Sequence, residues 1–146
     1  MKNTIKVFVL VALTLAAMSV SAQVKLGHIE TQKLIQAMPE WTAAQKTFEE
    51  EQKKVNTELN GLREQFQTKL AEYSEKMKTY SEAMRATTEE ELQGLQQRIQ
   101  RFQETAMAQL EKTQNDLMQP VMEKALNAIK EVGKENGFTY IFDMNA

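Results

Sequence analysis

The sequence has 146 residues, 42% hydrophobic, 26% charged and 7% aromatic, with 5 Gly, 2 Pro and a formal charge of −2. This excludes a collagen-like chain, and the supply of Glu, Gln, Lys, Ala, Leu and Met is the usage of long helices rather than of a thick globular core. With no Cys there is no lipid-modified N-terminal cysteine, no disulfide and no thiolate chemistry, and the acidic balance is a poor match for nucleic acid.

Lys2 and Lys6 lead into an uncharged, mostly apolar run, Val7 to Met18, closed by the small-residue signal Val20-Ser21-Ala22. This is the pattern of a secretory signal peptide, residues 1–22, cut before Gln23. The run has about a dozen apolar residues where a bilayer span needs roughly 20, so an exported chain without stable membrane insertion is expected. Taking Lys2 and Lys6 from the 18 basic residues leaves 16 against 20 acidic, a formal charge of −4.

Val24 to Ile29 reads as a first strand, with Gly27 weakening any helical alternative. Thr31 can cap a helical turn through Leu34 and Ile35, and Pro39 interrupts it by biasing Met38 away from helical angles. A second helix starts at about Glu40-Trp41. Its stripe, Phe48, Val55, Leu59, Leu62, Phe66, Leu70, Tyr73, Met77, Tyr80 and Met84, has a mean step of about 3.6 from Val55 onward, with a heptad stutter at Leu59 to Leu70 that straightens a left-handed supercoil.

The stripe stops between Met84 and Leu92. Thr87-x-x-Glu90 and Thr88-x-x-Glu91 both fit a capping box, so a new helix is expected there. Its stripe runs Leu92, Leu95, Ile99, Phe102, Ala106, Leu110, Thr113, Leu117 and Val121. A helix from 43 to 85 would be about 65 Å long, too long for the rest of the chain to surround, so the two stripes should zip into an antiparallel hairpin. Pro120 is expected to break or bend the returning helix, Gly133 and Gly137 to close it, and Phe138–Phe142 to form the last strand beside Val24–Ile29.

The expected fold class is α+β, mostly α: a long antiparallel helical hairpin on a small β body. Two short strands make too small a core to stand alone, so the body should form by oligomerisation through Leu26, His28, Ile29, Phe138, Tyr140, Ile141 and Phe142. The expected segments are the signal peptide 1–22, the first strand and short helix of the body 23–42, the arm 43–119 with its tip near 85–91, and the body helix and last strand 120–146.

One His, no Cys, no Gly-rich phosphate loop and no clustered Asp leave nothing from which to assemble a catalytic triad, a thiol nucleophile or a His-based metal site, so no enzyme, metal or cofactor is expected. His28 reads as a barrel-lining or strand-edge residue. Glu49 to Glu51 and Glu89 to Glu91 read as solvated faces or caps, because consecutive helical residues diverge and do not wrap a cation. Near the tip the stripe turns to Tyr and Met, soft side chains suited to varied partners. Phe66, Tyr73, Met77, Tyr80 and Met84 are therefore candidate client contacts, and the same residues also fit a plain buried seam.

The opening "VKLGHIETQKLIQAMPEW", the long hairpin and the closing "PVMEKALNAIKEVGKENGFTYIFDMNA" together resemble the Skp (OmpH-like) family of periplasmic chaperones, most of all its Bacteroidetes-type members. The resemblance implies a homotrimer in which strands from three subunits close a small barrel and three hairpins surround a cavity. It also implies that unfolded outer-membrane proteins are held there without ATP, as partners in the periplasm. Family members usually continue past the region matching Phe142–Ala146 with another strand and a short helix, so the expectation is a barrel with fewer strands or a longer natural chain. The best-known members have basic arms, and lipopolysaccharide binding is not carried over to this acidic chain. The alternative function is a structural coiled-coil spacer of the cell envelope.

Overall fold

The computed structural model describes residues 23–144; the expected signal peptide lies outside them. The order is β1 (Leu26–Ile29), α1 (Thr31–Ala37), α2 (Pro39–Lys76), α3 (Glu82–Glu135) and β2 (Tyr140–Asp143). The described chain is α+β and mostly α. It divides into two compact units, one formed by residues up to Glu30 together with those from Ile129 onward, the other by Thr31–Ala128.

In the Thr31–Ala128 unit, Met38 is extended (φ −76°, ψ 135°) and Pro39 takes the first turn of α2. The proline ring excludes helical angles from the residue before it, and its missing N–H costs nothing at a helix start. Main-chain bonds bridge the interruption, from Met38 N–H to Ile35 O (3.0 Å) and from Trp41 N–H to Met38 O (3.1 Å). The core here is Ile35, Ala44, Val121 and Ala125, with Leu34, Met38, Trp41, Leu117 and Met118 packed around it. Two of the four central positions are Ala, one on each long helix, and Lys124 pairs with Glu40 nearby.

Farther along, Leu62 on α2 and Leu92 and Ala106 on α3 are buried, while Val55, Leu59 and Phe66 of α2 and Leu95, Ile99 and Phe102 of α3 are half-buried. Lys69 pairs with Glu91, and the Tyr73 hydroxyl donates to Glu89. These two pairs and Glu40–Lys124 are each centred within residues 80–82. An antiparallel hairpin turning there requires that register.

The turn corrects the tip expected near 85–91. It lies between Lys76 and Glu82, closed by Met77 N–H to Tyr73 O (2.8 Å) and Thr79 N–H to Lys76 O (2.9 Å). Ser81 caps α3: Met84 N–H donates to its Oγ (3.3 Å) and Arg85 N–H to its carbonyl (3.0 Å). The Arg85 guanidinium donates to Tyr80 O. Thr87 and Thr88 sit inside the helix and cap nothing. Their hydroxyls donate back to Ala83 O (3.1 Å) and Met84 O (2.8 Å), the interior use of threonine that competes with capping. Pro120 likewise ends nothing, since α3 runs through it to Glu135, and no helix boundary falls at 43 or 120.

In the other unit, β1 and β2 form a two-stranded parallel sheet pairing Leu26 with Tyr140, Gly27 with Ile141, His28 with Phe142 and Ile29 with Asp143. Both strands begin two residues later than expected. Phe138 is excluded from β2 because the helix end claims its N–H: Phe138 N–H donates to Gly133 O (2.9 Å) and Gly137 N–H to Lys134 O (3.2 Å). That bond pair is a Schellman cap, and Gly137 supplies its left-handed residue at φ +67°. Gly133 does not close the helix. It is where α3 meets β2, since a Cβ there would lie 2.8 Å from Ile141 Cδ1.

Lys25 ties the strand to this cap. Its N–H donates to Thr139 Oγ1 (3.2 Å), its Nζ to Asn136 O (2.7 Å), and the ammonium lies 4.4 Å from the Phe138 ring centroid, a favourable charge for a helix C-terminus. Gly137→Val forces a β-branched residue into the left-handed region. It should lower stability by roughly 1–2 kcal/mol, read as a fall in the thermal midpoint, whereas Gly137→Asn should cost less.

Candidate functional site

Two surfaces stand out, one in each unit. The first is the end of the hairpin. Its short turn holds Met77 and Tyr80, with Tyr73 in the last turn of α2 and Met84 in the first turn of α3. The Tyr73 and Tyr80 rings pair at 6.3 Å between centroids, tilted by 50°, so part of each ring faces its neighbour and both residues are half-buried. Met77 and Met84 are exposed, and Leu70, two turns back, is exposed as well. Phe66 lies deeper in the seam, half-buried. Of the five sequence candidates, the structure gathers Tyr73, Met77, Tyr80 and Met84 around the turn and leaves Phe66 to the hairpin's packing.

The hydrogen bond from Tyr73 to Glu89 raises the Tyr73 phenol above its usual range, because ionisation would set a phenolate against a carboxylate. The neutral phenol is the bonded form, so this contact contributes up to the pH of free tyrosine and is lost as pH rises through the raised value. A spectrophotometric tyrosine titration should therefore show a late component that Tyr73→Phe removes.

Between the helices below the tip lies an open groove of about 860 Å³, lined by Gly61, Gln65, Thr68 and Glu72 of α2 and by Glu91, Gly94, Leu95 and Arg98 of α3. The lining is mostly polar or charged, and the Lys69–Glu91 pair closes one side. The surface these residues turn to the groove is nonetheless more apolar than polar, so the groove differs from the tip in its charged rim rather than in lacking apolar area. The sequence stripe missed this groove because Gly61 and Gly94 lie off the apolar periodicity.

The second surface is one face of the sheet. Leu26, His28, Tyr140 and Phe142 all point the same way in the paired register and all are exposed, with the Tyr140 and Phe142 rings 6.4 Å apart. Ile29 and Ile141 belong to the opposite face and are half-buried. Parallel sheets are ordinarily covered on both faces, and among the described residues each strand pairs with only one other.

Residues 25–146 match the family described as Outer membrane protein (OmpH-like). The chain belongs to that family. No curated protein matches the sequence at a comparable level. At the level of the family, OmpH-like proteins are chaperones associated with outer-membrane proteins and are not an enzyme family. Among the described residues, no group of His, Cys, Asp and Glu is arranged to hold a metal ion, and no helix is long and apolar enough to cross a membrane.

Proposed function

We propose that this OmpH-like protein is an ATP-independent periplasmic holdase, exported by the signal at 1–22, that keeps unfolded outer-membrane proteins from aggregating in a cavity bounded by the hairpins of a homotrimer. The observation that carries the reading is the soft tip. Met77 and Met84 are exposed beside the Tyr73–Tyr80 pair at the end of a hairpin in which Leu62, Leu92 and Ala106 are buried. Apolar contacts are non-directional, so thioethers and phenol rings accept unrelated extended segments, and several weak contacts on several arms add to a useful avidity. The uncovered face of Leu26, Tyr140 and Phe142 supports assembly through the sheet.

Half-burial of Phe66, Tyr73 and Tyr80 in the hairpin seam favours the rival reading, an envelope spacer whose stripe only packs. Dilution of a urea-unfolded outer-membrane barrel into buffer with the purified protein separates the two. The holdase suppresses light scattering at a few-fold molar excess, and Met77→Ser/Met84→Ser weakens suppression while helicity stays unchanged. A spacer suppresses nothing. No suppression at several-fold excess removes the holdase reading.

A further inference from the structure

The chain has 9 Met and no Cys, so thioethers are its most readily oxidised side chains. They are unevenly placed. Met38 and Met118 pack against the core cluster of the hairpin's base, whereas Met77, Met84, Met107, Met122 and Met144 are exposed, and of these five only Met77 and Met84 lie at the tip. Two of these exposed thioethers sit at the turn, Met77 as the residue that caps α2 and Met84 in the first turn of α3.

We infer that Met77 and Met84 are an oxidation-sensitive switch on the tip, an inference that rests on the holdase reading. The reaction needs a peroxide. A lone pair of the thioether sulfur attacks one oxygen of hydrogen peroxide, the S–O bond forms as the O–O bond breaks, and the proton on the transferred oxygen passes to the departing hydroxide, so the sulfur is oxidised by two electrons to the sulfoxide and the peroxide leaves as water. The product is polar and hydrogen-bonds water strongly, so two of the four soft side chains around the turn lose their affinity for apolar segments. Neither main-chain capping nor the seam depends on these sulfurs: the bonds at this end come from Met77 N–H, Met84 N–H and Ser81. Oxidation therefore changes what the tip binds while the hairpin persists, and a thiol-dependent sulfoxide reductase restores the original surface.

The test exposes the purified full chain to hydrogen peroxide, follows each Met by peptide mass spectrometry, and measures suppression of barrel aggregation in parallel. Met77, Met84 and Met107 should gain one oxygen well before Met38 and Met118. Capture should weaken roughly tenfold in step with Met77 and Met84 and return after sulfoxide reductase treatment. Met77→Leu/Met84→Leu should keep after peroxide whatever capture it had before, while Met107→Leu should lose capture as the parent chain does.

The inference is overturned if oxidised protein captures undiminished, if the double leucine variant loses the same proportion, or if the tip thioethers react no faster than those in the core. Absence of capture before any peroxide is added overturns the holdase reading itself, and is thereby distinguished from failure of the switch alone.

Discussion

Ala125→Asp should cost about 3–5 kcal/mol, enough to open the base of the hairpin. Ala125 is 1% exposed and packs with Ile35, Ala44 and Val121 inside a ring that includes Trp41, Leu117 and Met118. A carboxylate there leaves water and meets only apolar groups. The neighbouring Lys124 already pairs with Glu40, an exposed contact that holds the Glu40 carboxyl below its usual range. The larger side chain also overfills a cluster whose central positions are held by Ala44 and Ala125. Trp41 is the only Trp and lies in this cluster, so its fluorescence reports the site directly. The emission should shift to longer wavelength, and the thermal midpoint should fall on the order of 10 °C or more. Ala125→Ser, which adds one hydroxyl, should cost much less. A midpoint and emission like those of the parent chain would show that this seam does not hold the hairpin.

The buried face of that seam was legible in the sequence, because burial of one helix face imposes a 3.6-residue period that Val55, Leu59, Leu62 and Phe66 repeat without interruption. Those four residues are half-buried or buried in the structure. The position of the turn was not legible. Thr87 and Thr88, each three residues before a Glu, carried the stronger cap signature, while Ser81 is followed at the same spacing by Met84. A threonine hydroxyl can cap a helix start or bond back to the carbonyl four residues earlier, and the sequence alone does not separate these uses. Pairing across the hairpin decides between them. With the turn at 77–81, Lys69 faces Glu91 and Tyr73 faces Glu89; a turn at 85–91 would have removed both contacts.

The same competition for main-chain groups explains the strand boundary. Phe138 has the side chain of a strand residue, but its N–H completes the Schellman cap that Gly137 makes possible. A hydrogen bond can be spent once, so the ladder begins at Tyr140. Pro120 was misleading for a related reason. The bond it omits would reach the main-chain carbonyl of Asp116, an exposed residue of α3, and on a long helix one missing bond bends the path at most. The parallel sense of the strand pair had no signal in the sequence at all, since the alternation of side chains is the same for either direction.

Phe142→Asp should abolish assembly while leaving the single chain folded, and this separation is the sharpest test of a body built from several copies. In one chain Phe142 is 56% exposed, opposite His28 in the sheet register, so a charge there meets water and gives up the ring contact with Tyr140. If a neighbouring copy covers the face, each Phe side chain leaves water on association, worth about 2 kcal/mol per copy. Three copies together contribute about 6 kcal/mol, roughly four powers of ten in the association constant. Light scattering of the parent protein should then give three times the single-chain mass. The variant should give the mass of one chain, with helical circular dichroism unchanged because the hairpin's own seam lies in the Thr31–Ala128 unit. Leu26→Asp, on the same face, should act alike, whereas Met107→Asp on the arm should leave the mass untouched. Should the parent protein itself run as a single chain, the uncovered sheet face would need a different partner, and the cavity between hairpins would have no walls.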